Sequence, residues 1–226
     1  MPGRGTALVV GASRGLGLGV VAELLRRGWS VVATARAPSA GLDALACGRL
    51  RVERVDIDYD EEVALCGRLE GLRLDLLFVV AGVATGAGTP VPQMAREMAS
   101  RVFQTNAVSP IRFAETFHKQ VAPGGTIVLM TSVMGSVSRN NGGGWESYRA
   151  SKAALNTLAR SFSGRHRGAG WGVVLMHPGW VRTALGGRSA DLDVATSARG
   201  MVDVLESRQG AKGCVFLDYK GDPVPW

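Results

Sequence analysis

The chain has 226 residues, of which 46% are hydrophobic and 20% charged. That is ordinary globular material, with enough apolar residues for a sizeable core. No apolar run approaches the roughly 18 residues that cross a membrane, and Thr6-Ala7-Leu8-Val9-Val10 is too short for a signal sequence, so a cytoplasmic protein is expected. The net charge is +7, with Lys119, Lys152, Lys212 and Lys220 as the lysines and arginine supplying the rest. These basic residues are spread along the chain without long runs, unlike the clustered charge of a nucleic-acid binder. They would still attract an anionic ligand. Cys47, Cys66 and Cys214 are far apart, with no CxxC, and read as reduced thiols. His118, His166 and His177 show no metal-ligand spacing, so no metal is expected.

In chain order, β-like runs are expected at Ala7–Val10, Ser30–Thr34, Leu50–Val55, Asp75–Val80, Thr126–Thr131, Gly172–Met176 and Cys214–Leu217. Helical patterns fall at Arg14–Arg27, Asp60–Leu69, Gln93–Asn106, Ile111–Gln120, Glu146–Arg167 and Leu192–Ser207. Continuous apolar runs such as Leu76-Leu77-Phe78-Val79-Val80 are typical of strands buried on both faces. Strand and helix alternate over the whole length without a dividing linker. The expectation is one α/β domain over residues 1–226, a doubly wound parallel sheet flanked by helices. Ligands of such sheets bind beyond the carboxyl ends of the strands.

Directly after the first run comes Gly11-Ala12-Ser13-Arg14-Gly15-Leu16-Gly17. Bare backbone that ends a strand and opens a helix can approach a pyrophosphate, and the helix N-terminus favours its charge. A dinucleotide fold that binds NAD usually holds the ribose 2′-hydroxyl with a carboxylate at the end of its second strand. Here that region is Thr34-Ala35-Arg36, so Arg14 and Arg36 are candidates to clamp a 2′-phosphate. NADP(H) is the expected cofactor rather than NAD(H). Asp56 is a candidate for the adenine amino group, with Ile57 beside it.

Tyr148-Arg149-Ala150-Ser151-Lys152 opens a helical pattern, and Tyr148 and Lys152 at i and i+4 share a face. An ammonium about 4 Å from the phenol, at an effective dielectric near 20, is worth on the order of 4 kcal/mol. That would bring the phenol from about 10 to near neutrality, where it could work as an acid–base catalyst. Ser132 lies at the end of the fifth strand, in Thr131-Ser132-Val133-Met134-Gly135-Ser136.

The ordered set Gly11xxxGly15xGly17, Asn106, Ser132, Tyr148, Lys152 and Pro178-Gly179 resembles the short-chain dehydrogenase/reductase family over essentially the whole chain. The resemblance implies a Rossmann domain with a seven-stranded sheet, and hydride transfer between a nicotinamide and a carbonyl or alcohol carbon. It implies that Tyr148 exchanges the substrate proton, Ser132 bonds the substrate oxygen, and Lys152 lowers the tyrosine pKa and binds the nicotinamide ribose. Asn106 would hold a proton-relaying water. Ala81, Gly82, Pro178, Gly179, Val181 and Thr183 would line the nicotinamide side. Arg14 and Arg36 match the family's NADP-preferring members. A homodimer or homotetramer is implied as well.

Two departures stand out. Val10 replaces the family's usual threonine, and Val79-Val80 its Asn-Asn, so a cross-strand polar pair has become apolar on both sides. The interval between Ser132 and Tyr148 is longer than usual, and its text, with His177–Thr183 and Phe216–Trp226, is similar to the carbonyl-reductase and C-factor-like branch. The pocket is expected from Val83–Pro92, Asn140–Trp145 and Trp180–Arg188, with Met134, Trp145 and Trp180 as apolar walls. The leading expectation is an NADP(H)-dependent carbonyl reductase or alcohol dehydrogenase acting on a small substrate. The alternative is a C-factor-like signalling protein that binds cofactor with incidental turnover. An extended-type epimerase is disfavoured because the chain lacks a substantial second substrate domain.

Overall fold

The computed structural model describes residues 4–226. Seven strands form one parallel sheet: β1 (Thr6–Val10), β2 (Ser30–Ala35), β3 (Leu50–Arg54), β4 (Leu74–Val79), β5 (Val121–Met130), β6 (Gly172–His177) and β7 (Gly213–Asp218). Their spatial order is β3-β2-β1-β4-β5-β6-β7, so the winding reverses between β1 and β4. All seven lie where the sequence predicts strands. β5 starts five residues early, because Val121 pairs with Leu74 across an irregularity before the regular register begins at Thr126.

Alternate residues of the strands feed two cores. Leu8, Leu77, Ile127 and Leu175 pack with Phe113 and Phe117 of α5 (Ser109–Phe117) and Leu155 and Phe162 of α6 (Glu146–Arg165). On the other face, Val9, Phe78, Val128 and Met176 pack with Val20, Val21 and Leu24 of α1 (Gly15–Arg26) and with Met201, Val202 and Leu205 of α7 (Val194–Ser207). Coverage of both faces explains why the strands are not amphipathic. The remaining helices are α2 (Ala40–Asp43), α3 (Glu62–Arg68) and α4 (Arg96–Phe103). Among the described residues, no helix is long and apolar enough to cross a membrane.

Two helices expected at Gln93–Asn106 and Ile111–Gln120 are one helical path. α4 runs through a π turn at Gln104–Val108 into α5. Pro110 has no N–H for the carbonyl of Asn106, and its ring crowds that carbonyl. The wider π turn relieves this without ending the helix, and such turns often mark functional sites.

Val10 and Val79 are register partners, each 1% exposed. With both sides apolar, the pair leaves no orphaned polar group. Val10→Thr alone is expected to lower stability by about 1–3 kcal/mol, because it buries a hydroxyl opposite valine. Urea unfolding measures this, and a gain in stability would refute the compensation.

Candidate active site

β1 delivers the chain to Gly11, whose φ of +88° suits glycine. A Cβ there would sit 2.7 Å from the Cβ of Ala81, and one on Gly17 would sit 2.1 Å from the Gly11 carbonyl oxygen. The loop is anchored from β2: the Gly11 N–H donates to Thr34 Oγ1 (3.1 Å) and the Ala12 N–H to the Thr34 carbonyl (2.8 Å). Ser39 Oγ donates to the Ser13 carbonyl (2.7 Å). Arg14 is the extended N-cap of α1 and makes no side-chain cap bond. The first turn of α1 therefore presents Gly15, Leu16 and Gly17 to a cavity of about 1360 Å³. That exceeds the roughly 300–1,000 Å³ of a common ligand pocket.

Arg14 and Arg36 both line this cavity and are exposed. The Arg36 side chain lies 3.9 Å from Asp56, a long and weak pair. Asp56 turns toward Arg36 and accepts the Asp58 N–H (3.1 Å), and it is outside the cavity lining. Its neighbours Val55, Ile57 and Asp58 line it instead.

At the other end stand Ser132, Tyr148 and Lys152, with Gly82 beside them. Ser132 caps a 3-10 turn at Val133–Gly135, where its Oγ accepts the Met134 N–H (3.1 Å). Tyr148 and Lys152 share the buried face of the first turns of α6. Lys152 Nζ donates to the Met130 carbonyl at the end of β5 (2.9 Å). Asn106, fully buried, clamps Val83 through both its N–H and its carbonyl (2.8 Å each). A Cβ on Gly82 would lie 3.2 Å from Asn106 Oδ1 and 3.4 Å from Lys152 Nζ, so these three residues meet.

The electrostatics correct one expectation. Burial pushes the Tyr148 phenol up to about 12, although a hydrogen bond with Ser132 pulls the other way. Lys152 does not bring it toward neutrality. Its Nζ is 5.9 Å from the ring centroid and is engaged by Met130. Burial also lowers Lys152 itself to about 8. Desolvation thus outweighs the attraction that spacing alone suggested. His177, which lines the cavity, is driven down to about 4 by burial and is neutral at physiological pH.

The cavity also includes Ala81, Pro178, Gly179, Val181 and Thr183, and the expected walls Met134, Trp145 and Trp180. Trp145 has φ +54°, and is the single non-glycine residue at positive φ among the described residues. Its indole meets Tyr148 edge to face at 5.8 Å. Trp180 is held by its indole N–H on the Gly186 carbonyl (2.8 Å). The expected pocket segments were too broad, since residues 89–92, 140–144, 182, 187 and 188 do not line the cavity.

Supporting residues escaped the sequence reading. Ser151 Oγ accepts from Asn106 Nδ2 (3.0 Å) and donates to the Tyr148 carbonyl (2.8 Å). Asn156 accepts from Thr131 Oγ1 (2.7 Å) and donates to the Gly135 carbonyl (3.2 Å), fixing the segment that carries Ser132. Ser151 stood inside the quoted Tyr148–Lys152 motif, but its buried partner on another helix leaves no local signal.

The family model for short chain dehydrogenases matches residues 5–192. The chain belongs to the short-chain dehydrogenase family. Among its relatives within that family, a 1-hydroxy-2-glutathionyl-2-methyl-3-butene dehydrogenase from Rhodococcus sp. is 35% identical, covering 98% of this chain and 99% of the relative. The C-signal protein of Myxococcus xanthus is 40% identical, over 56% of this chain and 78% of its own. A Burkholderia multivorans short-chain dehydrogenase structure with bound NADP superposes with a TM-score of 0.95 at 43% identity, covering 99% of this chain and 100% of that one. A Pseudomonas aeruginosa carbonyl reductase in complex with NADP gives 0.92 at 39% identity, covering 98% and 99%.

Proposed function

We propose that this oxidoreductase transfers hydride between NADP(H) and the carbonyl or alcohol carbon of a small substrate, with Tyr148 as general acid/base. The observation that carries this reading is one continuous cavity, with the Gly11–Gly17 loop and two arginines at one end and Ser132, Tyr148 and Lys152 at the other. The residues fit the dinucleotide. Side chains at Gly11 or Gly17 would fill the loop, α1 directs its positive end there, and Arg14 and Arg36, both on the cavity lining, would supply the charge a 2′-phosphate needs. The NADP-bound relatives support the same choice.

When bound, the nicotinamide supplies or accepts the hydride. In reduction, Ser132 and Tyr148 hold the substrate oxygen by hydrogen bonds. Tyr148, kept protonated by its burial, donates its phenolic proton as the oxygen gains charge. The Lys152 ammonium, fixed by Met130, stabilises negative charge nearby and would bond the nicotinamide ribose. Asn106 braces the Val83 loop and Ser151, keeping Gly82 and α6 in place. Regenerating the Tyr148 phenol takes one proton, which Lys152 would pass on and recover from a water beside Asn106. Trp145, Trp180 and Met134 would give the substrate apolar walls.

The signalling alternative takes support from C-signal. It explains neither the buried tyrosine nor the buried lysine, which are costly for a protein that only binds.

Titration with NADPH and NADH, followed by nicotinamide fluorescence, tests the cofactor assignment. Wild type is expected to prefer NADPH. Arg14→Ala and Arg36→Ala should each weaken NADPH about tenfold, as lost charge-assisted bonds do, and leave NADH within about twofold. Equal affinities in wild type would overturn the roles of both arginines. A protein that binds NADPH but reduces nothing in a broad carbonyl panel would overturn the catalytic reading.

A further inference from the structure

Glu115 and His118 lie one turn apart at the end of α5, and His166 is the C-cap of α6. Among the described residues, these three form the one group of His, Cys, Asp or Glu side chains whose ligating atoms all fall within 4.8 Å of one another. No sequence spacing announces it, because the third member arrives from a different helix.

We propose that Glu115, His118 and His166 bind a divalent cation of the zinc type, with water completing the coordination. Two imidazoles and a carboxylate are a donor set that suits zinc, which takes N and O ligands at about 2.0–2.2 Å. His166 Nε2 already faces Glu115 Oε2 at 2.9 Å, and a rotation of the partly exposed Glu115 side chain opens room for an ion. Two further features favour a cation here. The C-termini of α5 and α6 converge on the cluster, and each presents the negative end of its dipole. Both imidazoles pack against the stacked pair Phe162 and Trp171 (5.3 Å apart), His166 tilted at 5.9 Å and His118 edge-on at 6.0 Å from Trp171. Rings fixed in this way lose little freedom on coordination.

The opposing charges are Arg165, which pairs with the other carboxylate oxygen of Glu115, and the adjacent Lys119. The Arg165 side chain is 55% exposed and can leave that oxygen for solvent. The site is separate from the chemistry. Tyr148 lies near the other end of α6, roughly 27 Å away at 1.5 Å per residue, and none of the three residues lines the catalytic cavity. A bound ion would tie the ends of α5 and α6 together.

Chelator-treated full-length protein, titrated with zinc chloride by calorimetry, tests this. One ion per chain and a zinc-dependent rise in Tm are expected, with carbonyl reduction unchanged. His118→Gln and His166→Gln should each weaken binding at least about tenfold. Arg165→Ala should tighten binding several-fold, since it releases Glu115, whereas a purely structural ion-pair cluster predicts no zinc response in any variant. If one histidine variant fails to fold, the other and Arg165→Ala still decide. Absence of saturable heat with wild type, unchanged affinity in the histidine variants, or weaker binding in Arg165→Ala would overturn the site.

Discussion

Tyr148→Phe is expected to lower kcat/KM for carbonyl reduction about a thousandfold, within the usual span of general acid catalysis, while NADPH affinity changes less than about twofold. The substitution removes one oxygen and keeps the ring. The edge-to-face contact with Trp145 at 5.8 Å survives, so the cavity should hold its shape. What is lost is a proton donor that burial keeps protonated up to about pH 12. The same shift has a direction-dependent consequence. Reduction needs the phenol protonated and should not fall through loss of that proton anywhere near neutrality. Alcohol oxidation needs the phenolate and should accelerate as the medium becomes alkaline. Stopped-flow and steady-state assays in both directions, over pH 6 to about 10, measure this. More than about a tenth of wild-type activity in Tyr148→Phe would remove Tyr148 from the acid role.

The parts legible in the sequence are those decided locally. The inner strands could be read because a strand buried on both faces is almost wholly apolar, as in residues 76–79, whereas the edge strand Leu50–Arg54 carries exposed charges. The Gly11–Gly17 loop could be read because close backbone approach demands glycine, and a Cβ at Gly17 would indeed collide with the Gly11 carbonyl. Illegible features depend on partners far along the chain. Pro110 looks like a helix break, yet Asn106 bonds Val83 and Ser151 within an uninterrupted helical path. The i and i+4 spacing brought Tyr148 and Lys152 onto one face as expected, but not their solvation. The sign of the tyrosine shift is set by α6 packing over the sheet, which no local pattern reports. Asp56 stands outside the cavity lining, with its carboxylate turned to the Asp58 N–H. Glu115, His118 and His166 are brought together by the packing of α5 on α6.

Lys152→Met should separate stability from activity. Burial lowers the ammonium to about 8 from its ordinary 10.5, so the unfolded chain binds this proton more strongly than the folded one between those values. The cost of the buried charge is therefore fully present below pH 8 and is relieved as pH rises toward 10.5. At about 1.4 kcal/mol per pH unit it amounts to roughly 3 kcal/mol at pH 7. Methionine keeps the stem and removes the charge, but it leaves the Met130 carbonyl without its donor at a cost of about 1–3 kcal/mol. The variant should be more stable than wild type by about 1 kcal/mol at pH 7, and should lose that advantage as pH approaches 10.5. Tyr148 acts in the opposite sense: its raised pKa supports the fold below 10, and this support is lost between 10 and 12. It is common to both proteins, so it drops out of the comparison. Catalysis should fall at least about a hundredfold, because the charge that steadies the developing alkoxide is gone. Urea unfolding of both proteins at pH 7 and about pH 10, beside kcat for carbonyl reduction, gives the answer. A variant that loses stability at pH 7 would mean that the ammonium is held for packing. A gain in stability with loss of turnover would mean that the fold tolerates a buried charge because the reaction uses it.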